Sequence, residues 1–188
     1  MLVGGVPVTP VQNEPDLGIY IDSDLSMRRH VQRTTSSCFA ALHQLRQIHR
    51  LVPAATFQTL TVALVNQRLD YGKSTLVGIP AYLMRRLQSA LNAAARLIFH
   101  LRRSDHVANK LVSLYWLRVP ERIQFKIVVL TYRALHGDAL RYLGTFTSTA
   151  DVPGRRALRS AGTNRLVVPS VRLTTIGSRA FPIAVAQI

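Results

Sequence analysis

The sequence predicts a mainly α protein: an antiparallel helical bundle, preceded by a small β-hairpin or meander and followed by an irregular basic tail. Three observations carry this. Between residues 27 and 136 apolar side chains recur at three- and four-residue intervals. Residues 2 to 21 instead hold short apolar runs punctuated by Gly4-Gly5, Pro7, Pro10 and Pro15. From Gly144 onward neither period persists, and residues 152–188 contain six arginines and no acid. With 188 residues, of which 48% are hydrophobic, the chain can bury one real core. The expected organisation is a β segment over 1–25, a helical domain over 26–143 and a basic, partly extended tail over 144–188.

Element by element, Leu17-Gly18-Ile19-Tyr20-Ile21 ends the β segment, and Ser26 sits at an N-cap position before a helix spanning about Met27 to Val52. Val31, Cys38, Leu42, Leu45 and Val52 share one face of it. Pro53 suits a first helical position, and "PAATFQTLTVALVNQRL" is apolar on nearly all sides, predicting a buried helix that continues through "DYGKSTLV" until Gly78 and Pro80. The clearest amphipathic pattern follows, with Leu83, Leu87, Ala90, Ala94, Leu97 and Leu101 in three-four alternation. A short helix is expected over Val107 to Tyr115. Another runs from Pro120 to Leu135, closed by Gly137. That helix has two apolar faces, Ile123, Ile127, Leu130 and Ala134 on one and Phe125, Val128, Val129 and Tyr132 on the other, which places it at the centre of the bundle. Arg122, Lys126 and Arg133 form its third, basic stripe.

The formal charge is +15, and its distribution is uneven. Residues 1–26 hold Glu14, Asp16, Asp22 and Asp24 and no base, so all 24 basic side chains lie beyond Ser26. A working surface for a polyanion is expected there. Arg28, Arg29 and Arg33 crowd the first turns of a helix, where positive charge opposes the macrodipole by about 0.3–1 kcal/mol each, a cost an external anion would offset. Arg85, Arg86, Arg96, Arg102 and Arg103 line the polar side and end of a second helix, with Arg122 and Lys126 on a third. A merely solvated face normally mixes signs, and these scarcely do.

Other constellations carry less chemistry. Asp22 and Asp24 resemble a Mg²⁺-binding DxD pair, but no catalytic base pattern follows; a turn with a capped helix start is the favoured reading. "GKST" at Gly72–Thr75 copies the end of a P-loop, yet Gln67 stands where its first glycine belongs and no strand precedes it. The six histidines never form a His-x₃-His pair, and surface or helix-end positions are expected for them. Cys38, the only cysteine, excludes an internal disulfide and is expected in the core. No catalytic, cofactor or metal residue is assigned. With no secretory pattern and no convincing membrane span, an intracellular protein, nuclear or cytoplasmic, is expected.

Five stretches stand in one order: "DLGIYIDSDLSMRRHV", "ALVNQRLDYGKSTLVGIP", "RRLQSALNAAARLIF", "DHVANKLVSLYWLRVPERIQFKIVVLTYRALHG" and "LVVPSVRLTTIGSRAFPIA". Through them the chain resembles the C-terminal portion of reverse transcriptases (RNA-directed DNA polymerases) of non-LTR, LINE-type retrotransposons, from the end of the palm through the thumb and beyond. The resemblance implies that Leu17, Gly18 and Ile19 form a primer-grip-like strand at the palm-thumb junction. It also implies that the following helices are thumb-like and hold RNA, DNA or their hybrid nonspecifically through the backbone. The family's palm aspartate and Tyr/Phe-Ala-Asp-Asp loop have no counterpart here, so the implied role is that of a noncatalytic fragment. Asp70-Tyr71-Gly72-Lys73 replaces the family's Asp-Tyr-Cys-Asn, and Tyr115-Trp116-Leu117-Arg118 its His-Trp-Leu-Pro. The alternative is an inert or protein-interaction remnant that packs on a missing palm domain.

Overall fold

The structure, a computed structural model, describes residues 2–3, 6–7, 13–140, 143, 146–147, 149, 152, 166–170, 177 and 179–187. The protein is mainly helical, as its periodicity predicts. Two compact units are formed: Met1–Gly72 with Ile79–Val119, and Lys73–Gly78 with Pro120–Ile188. This division differs from the expected one: residues 1–25 fall in one unit with the helices up to Val119, and residues 73–78 and 120–143 fall with the C-terminal part of the chain. No helix among the described residues is long and apolar enough to cross a membrane.

The first unit opens with two antiparallel hairpins, β1 (Leu2–Val3) with β2 (Val6–Pro7) and β3 (Asn13–Asp16) with β4 (Ile19–Asp22). Asp16 pairs with Ile19, so Leu17 and Gly18 are a two-residue turn, with φ of 47° and 86°. Positive φ at both centres is what a hairpin turn matched to strand twist requires. The expected strand at Leu17-Gly18-Ile19 is therefore corrected: only Ile19 is in a strand, and Leu17 and Gly18 are the turn before it.

Helix α1 (Arg28–Ile48) follows, shorter at its C-terminal end than expected. Val31, Cys38, Leu42 and Leu45 are buried, each large apolar chain contributing about 1.5–3 kcal/mol. Val52 lies past the helix end. Pro53 and Pro80 each stand one residue ahead of a helix, at the N-cap, with φ of −54°. Helix α2 (Ala54–Thr61) passes through a π turn (Val62–Asn66) into α3 (Gln67–Asp70). Only Phe57, Thr61, Val65 and Leu69 are buried along this run, a single i+4 stripe, so the expected all-round burial is not found. Helix α3 stops at Asp70: Tyr71 is already extended, with ψ of 131°, and Gly72 turns the chain at φ 66°.

Helix α4 (Ala81–Ile98) packs along α1 and buries Leu83, Leu87, Ala90, Leu91, Ala94 and Ala95. Leu101 falls beyond its end, where His100 takes φ 53°. Helix α5 (Ala108–Ser113) completes the unit, with Leu111 buried.

The second unit contains a 3₁₀ turn (Lys73–Leu76), most of helix α6 (Val119–Leu135), and helix α7 (Phe181–Gln187). Gly137, at φ 79°, closes α6: the Asp138 N–H reaches back to the Arg133 carbonyl at 2.9 Å, a Schellman-type stop. Ile123 and Ile127 of α6 are buried, but Phe125, Val128 and Tyr132 are exposed, so its second apolar face is uncovered and α6 is not the two-sided centre expected. The tail also holds more order than its sequence suggests. Ile183, Ala184 and Val185 of α7 are buried, Phe146 meets Phe181 edge-on at 5.9 Å, and the Val167 N–H donates to the Thr147 carbonyl. The rest of the expected extended tail lies outside the described residues.

Candidate nucleic-acid interface

The start of α1 is held by the preceding turn. Met27, at the N-cap, has left-handed φ of 59° and no cap bond from its own side chain. That conformation costs about 1–2 kcal/mol for a non-glycine residue, and burial of the Met27 side chain offsets it. Leu25, at φ 53°, bends the chain in the same sense. The turn brings Asp22 back to the helix: its Oδ2 accepts the Arg29 N–H at 3.2 Å and the Ser26 hydroxyl at 2.9 Å. Asp24 Oδ1 accepts the Ser26 N–H at 3.0 Å, and this bond is the main reason its carboxyl sits below the usual range. The aspartates therefore build the turn and cap the helix. The capping is done by Asp22, with Ser26 accepting the Arg28 N–H only at 3.4 Å. Among the described residues no group of three His, Cys, Asp or Glu could hold a metal.

Beside this turn lies a groove of about 740 Å³ lined by Asp22, Ser23, Asp24, Ser26, Arg28, Arg29, Gln32, Arg33 and Ser36. The helical members come from adjacent turns of α1, on the face opposite Val31 and Cys38. Arg28, Arg29, Gln32, Arg33 and Ser36 are all exposed. Arg33 lies over the Tyr20 ring of β4, 4.7 Å from its centroid, so the strand fixes the guanidinium direction. Charge-assisted, often bidentate bonds to phosphate are what such guanidinium groups offer, with Gln32 and Ser36 as neutral donors beside them. One turn further, Arg68 of α3 donates to the Ser37 hydroxyl and carbonyl at 2.8 and 3.2 Å. Tyr20, Gln32, Ser36 and Arg68 were not singled out in the sequence. The i, i+4, i+7 series 29, 33 and 36 was a signal for Ser36; Tyr20 and Arg68 reach α1 only through the fold.

Of the ten basic residues expected to bind, Arg28, Arg29 and Arg33 line the groove. Arg85 and Arg86 are exposed on the first turns of α4. Arg96 is half-buried, its Nε without a partner and its Nη2 3.5 Å from the Asp105 carbonyl. Arg102 and Arg103 are exposed in the turn after α4, not on its helical end; the Arg102 N–H donates to Asp105 Oδ2 at 2.7 Å. Arg122 is only 8% exposed, which withdraws it from the surface and corrects its place in the set. Lys126 is exposed on α6 in the second unit. Of the primer-grip-like residues, Leu17 and Gly18 are exposed at the hairpin turn, where the Tyr71 hydroxyl donates to the Leu17 carbonyl, and Ile19 is half-buried.

His30 is buried, not at the surface as expected. Desolvation lowers its pKa, the nearby Asp22 charge opposes this, and its Nδ1 has no partner. Cys38 lies in the core as predicted. Its thiol points to the Val65 carbonyl at 3.8 Å, and burial pushes its pKa up to about 11, which makes it a poor nucleophile at neutral pH. No family model, curated protein or solved structure matches this chain.

Proposed function

We propose that the chain is a noncatalytic module of the non-LTR reverse-transcriptase kind, whose thumb-like helices bind the phosphate backbone of RNA, DNA or their hybrid without sequence preference. The observation that supports it most is the groove on α1, where Arg28, Arg29 and Arg33 project together beside Gln32 and Ser36. Contacts of this kind neutralise phosphates and release counterions, so affinity falls steeply with salt. A nucleic-acid partner of this kind fits a nuclear or cytoplasmic protein. A catalytic role is not part of the proposal, because Asp22 and Asp24 are committed to the turn and cap.

The test is a salt titration of binding to a short DNA duplex and to an RNA–DNA hybrid. The expected result is a linear decline of log affinity with log salt, and a slope shallower by about 2–3 in the R28Q/R29Q/R33Q variant, since each lost phosphate contact removes about 0.9. A slope unchanged in that variant, or binding indifferent to salt, overturns the reading. A second reading, a surface that packs on a separate palm domain, is favoured by the 95% exposed Tyr115 and 73% exposed Val112 at the end of α5. Tighter binding to an isolated palm than to nucleic acid, lost in Y115A/V112S, would support it.

A further inference from the structure

The exposed face of α6 is not merely apolar. Phe125 is 61% exposed and Tyr132 59% exposed, and they lie seven residues apart on one side of the helix, about 10 Å along its axis. His136 continues the row and stacks on Tyr132, with ring centroids 4.0 Å apart and planes 26° from parallel. The stack covers one face of the Tyr132 ring. Between the two rings Val128 and Val129 form an apolar floor, Val128 being exposed and Val129 half-buried. Beside this row, about 100° around the helix, Lys126 and Arg133 are both exposed and also seven residues apart.

Rings and cations thus run in two parallel rows of matched spacing. A surface that seats another helix needs apolar knobs and does not need cations in step with aromatics. A single nucleic-acid strand presents two rows of the same kind, flat bases on one side and phosphates on the other, and stacked bases repeat at about 3.4 Å. The gap of about 10 Å from Phe125 to Tyr132 then takes two stacked bases between the rings. From this we infer that α6 is a binding platform for single-stranded nucleic acid, in which Tyr132 and Phe125 bracket bases over the valine floor while Lys126 and Arg133 meet the phosphates. The acids nearest this face, Glu121 and Asp138, lie at the two ends of the row and not within it. The inference rests on the nucleic-acid reading above and deepens it: single strands are bound through their bases on the second unit, whereas the α1 groove takes backbone alone.

The full-length chain is titrated with fluorescein-labelled oligo(dT) and with an abasic oligomer of the same length, which keeps the phosphates and lacks the bases. Oligo(dT) should bind more tightly, and the F125A/Y132A variant should bind oligo(dT) about tenfold or more weakly while its abasic affinity is unchanged. Tyr132→Phe should keep the wild-type affinity and Tyr132→Leu should lose it, since leucine retains apolar area without a ring to stack. Circular dichroism and urea melts of these variants should match the wild type, since the substituted side chains are exposed. Equal affinity for the two oligomers, or a Tyr132→Leu variant that binds oligo(dT) like wild type, overturns the platform and leaves the face as a protein-packing surface. Duplex binding reads the α1 groove separately, because duplex bases are shut inside the helix. Loss of the salt-slope effect with oligo(dT) preference intact sinks the groove alone, and the reverse pattern sinks the platform alone.

Discussion

The Asp22 carboxylate, at the last position of β4, accepts the backbone N–H of Arg29 in the first turn of α1 at 3.2 Å. A cap supplied from seven residues upstream ties the hairpin to the helix and puts a negative charge at the positive end of the helix, between arginines that oppose it. Replacing Asp22 with alanine should cost about 0.5–2 kcal/mol in urea unfolding, as for other lost caps. Asp22→Asn should keep most of the stability and, by removing a negative charge from the groove wall, tighten duplex binding at low salt. Weaker duplex binding by a folded Asp22→Asn variant would mean that the carboxylate serves the ligand and not the helix. Addition of Mg²⁺ should leave the melting temperature unchanged.

Gly78 and Gly137 both take positive φ, 64° and 79°, but only Gly78 is crowded. A Cβ at Gly78 would stand 2.8 Å from Arg179 Cγ, near the stem of a side chain whose Nε and Nη2 donate to the Val77 and Thr75 carbonyls at 2.9 and 3.4 Å. A Cβ at Gly137 would meet nothing within 4 Å apart from its chain neighbours. Alanine at position 137 should therefore cost only the left-handed strain, about 1 kcal/mol. Alanine at 78 should cost that plus about 1 kcal/mol for displaced arginine bonds. Equal losses in paired urea melts would show that Arg179 does not anchor this turn.

Local periodicity made α1, α4 and α6 legible, because a long stripe such as Leu83, Leu87, Ala90 and Ala94 has no other way to be buried. The arginines of the groove were legible for a related reason: three like charges within six residues of a helix start can only share a face. What the sequence concealed were relations between distant residues. Nothing local marks Asp22 as the cap of Arg29, Tyr20 as the ring under Arg33, or Tyr71 as the partner of the Leu17 carbonyl. Arg122 is the converse case, since its place in a basic stripe did not reveal that it would be buried. The two apolar faces of α6 were identified correctly as residues but not as environments: an aromatic stripe looks the same in sequence whether a neighbouring helix covers it or water does.

His30 gives the fold a pH dependence whose sign follows from its burial. Desolvation lowers its pKa from 6.5 and the Asp22 charge only partly restores it, so the unfolded chain takes up a proton at a higher pH than the folded one. Stability is then complete above pH 6.5 and declines as pH falls from there toward the lower folded value, below which the contribution stays lost. Asp24, also lowered, acts further down: its contribution is present above 3.8 and lost as pH falls through its folded value. The two are separable by substitution. The urea midpoint of the wild type should drop between pH 7.5 and 5, whereas His30→Phe, which removes the titrating ring and the unpartnered Nδ1 together, should hold its midpoint over that interval. A drop of equal size in both proteins would place the titrating group elsewhere and free His30 of the role.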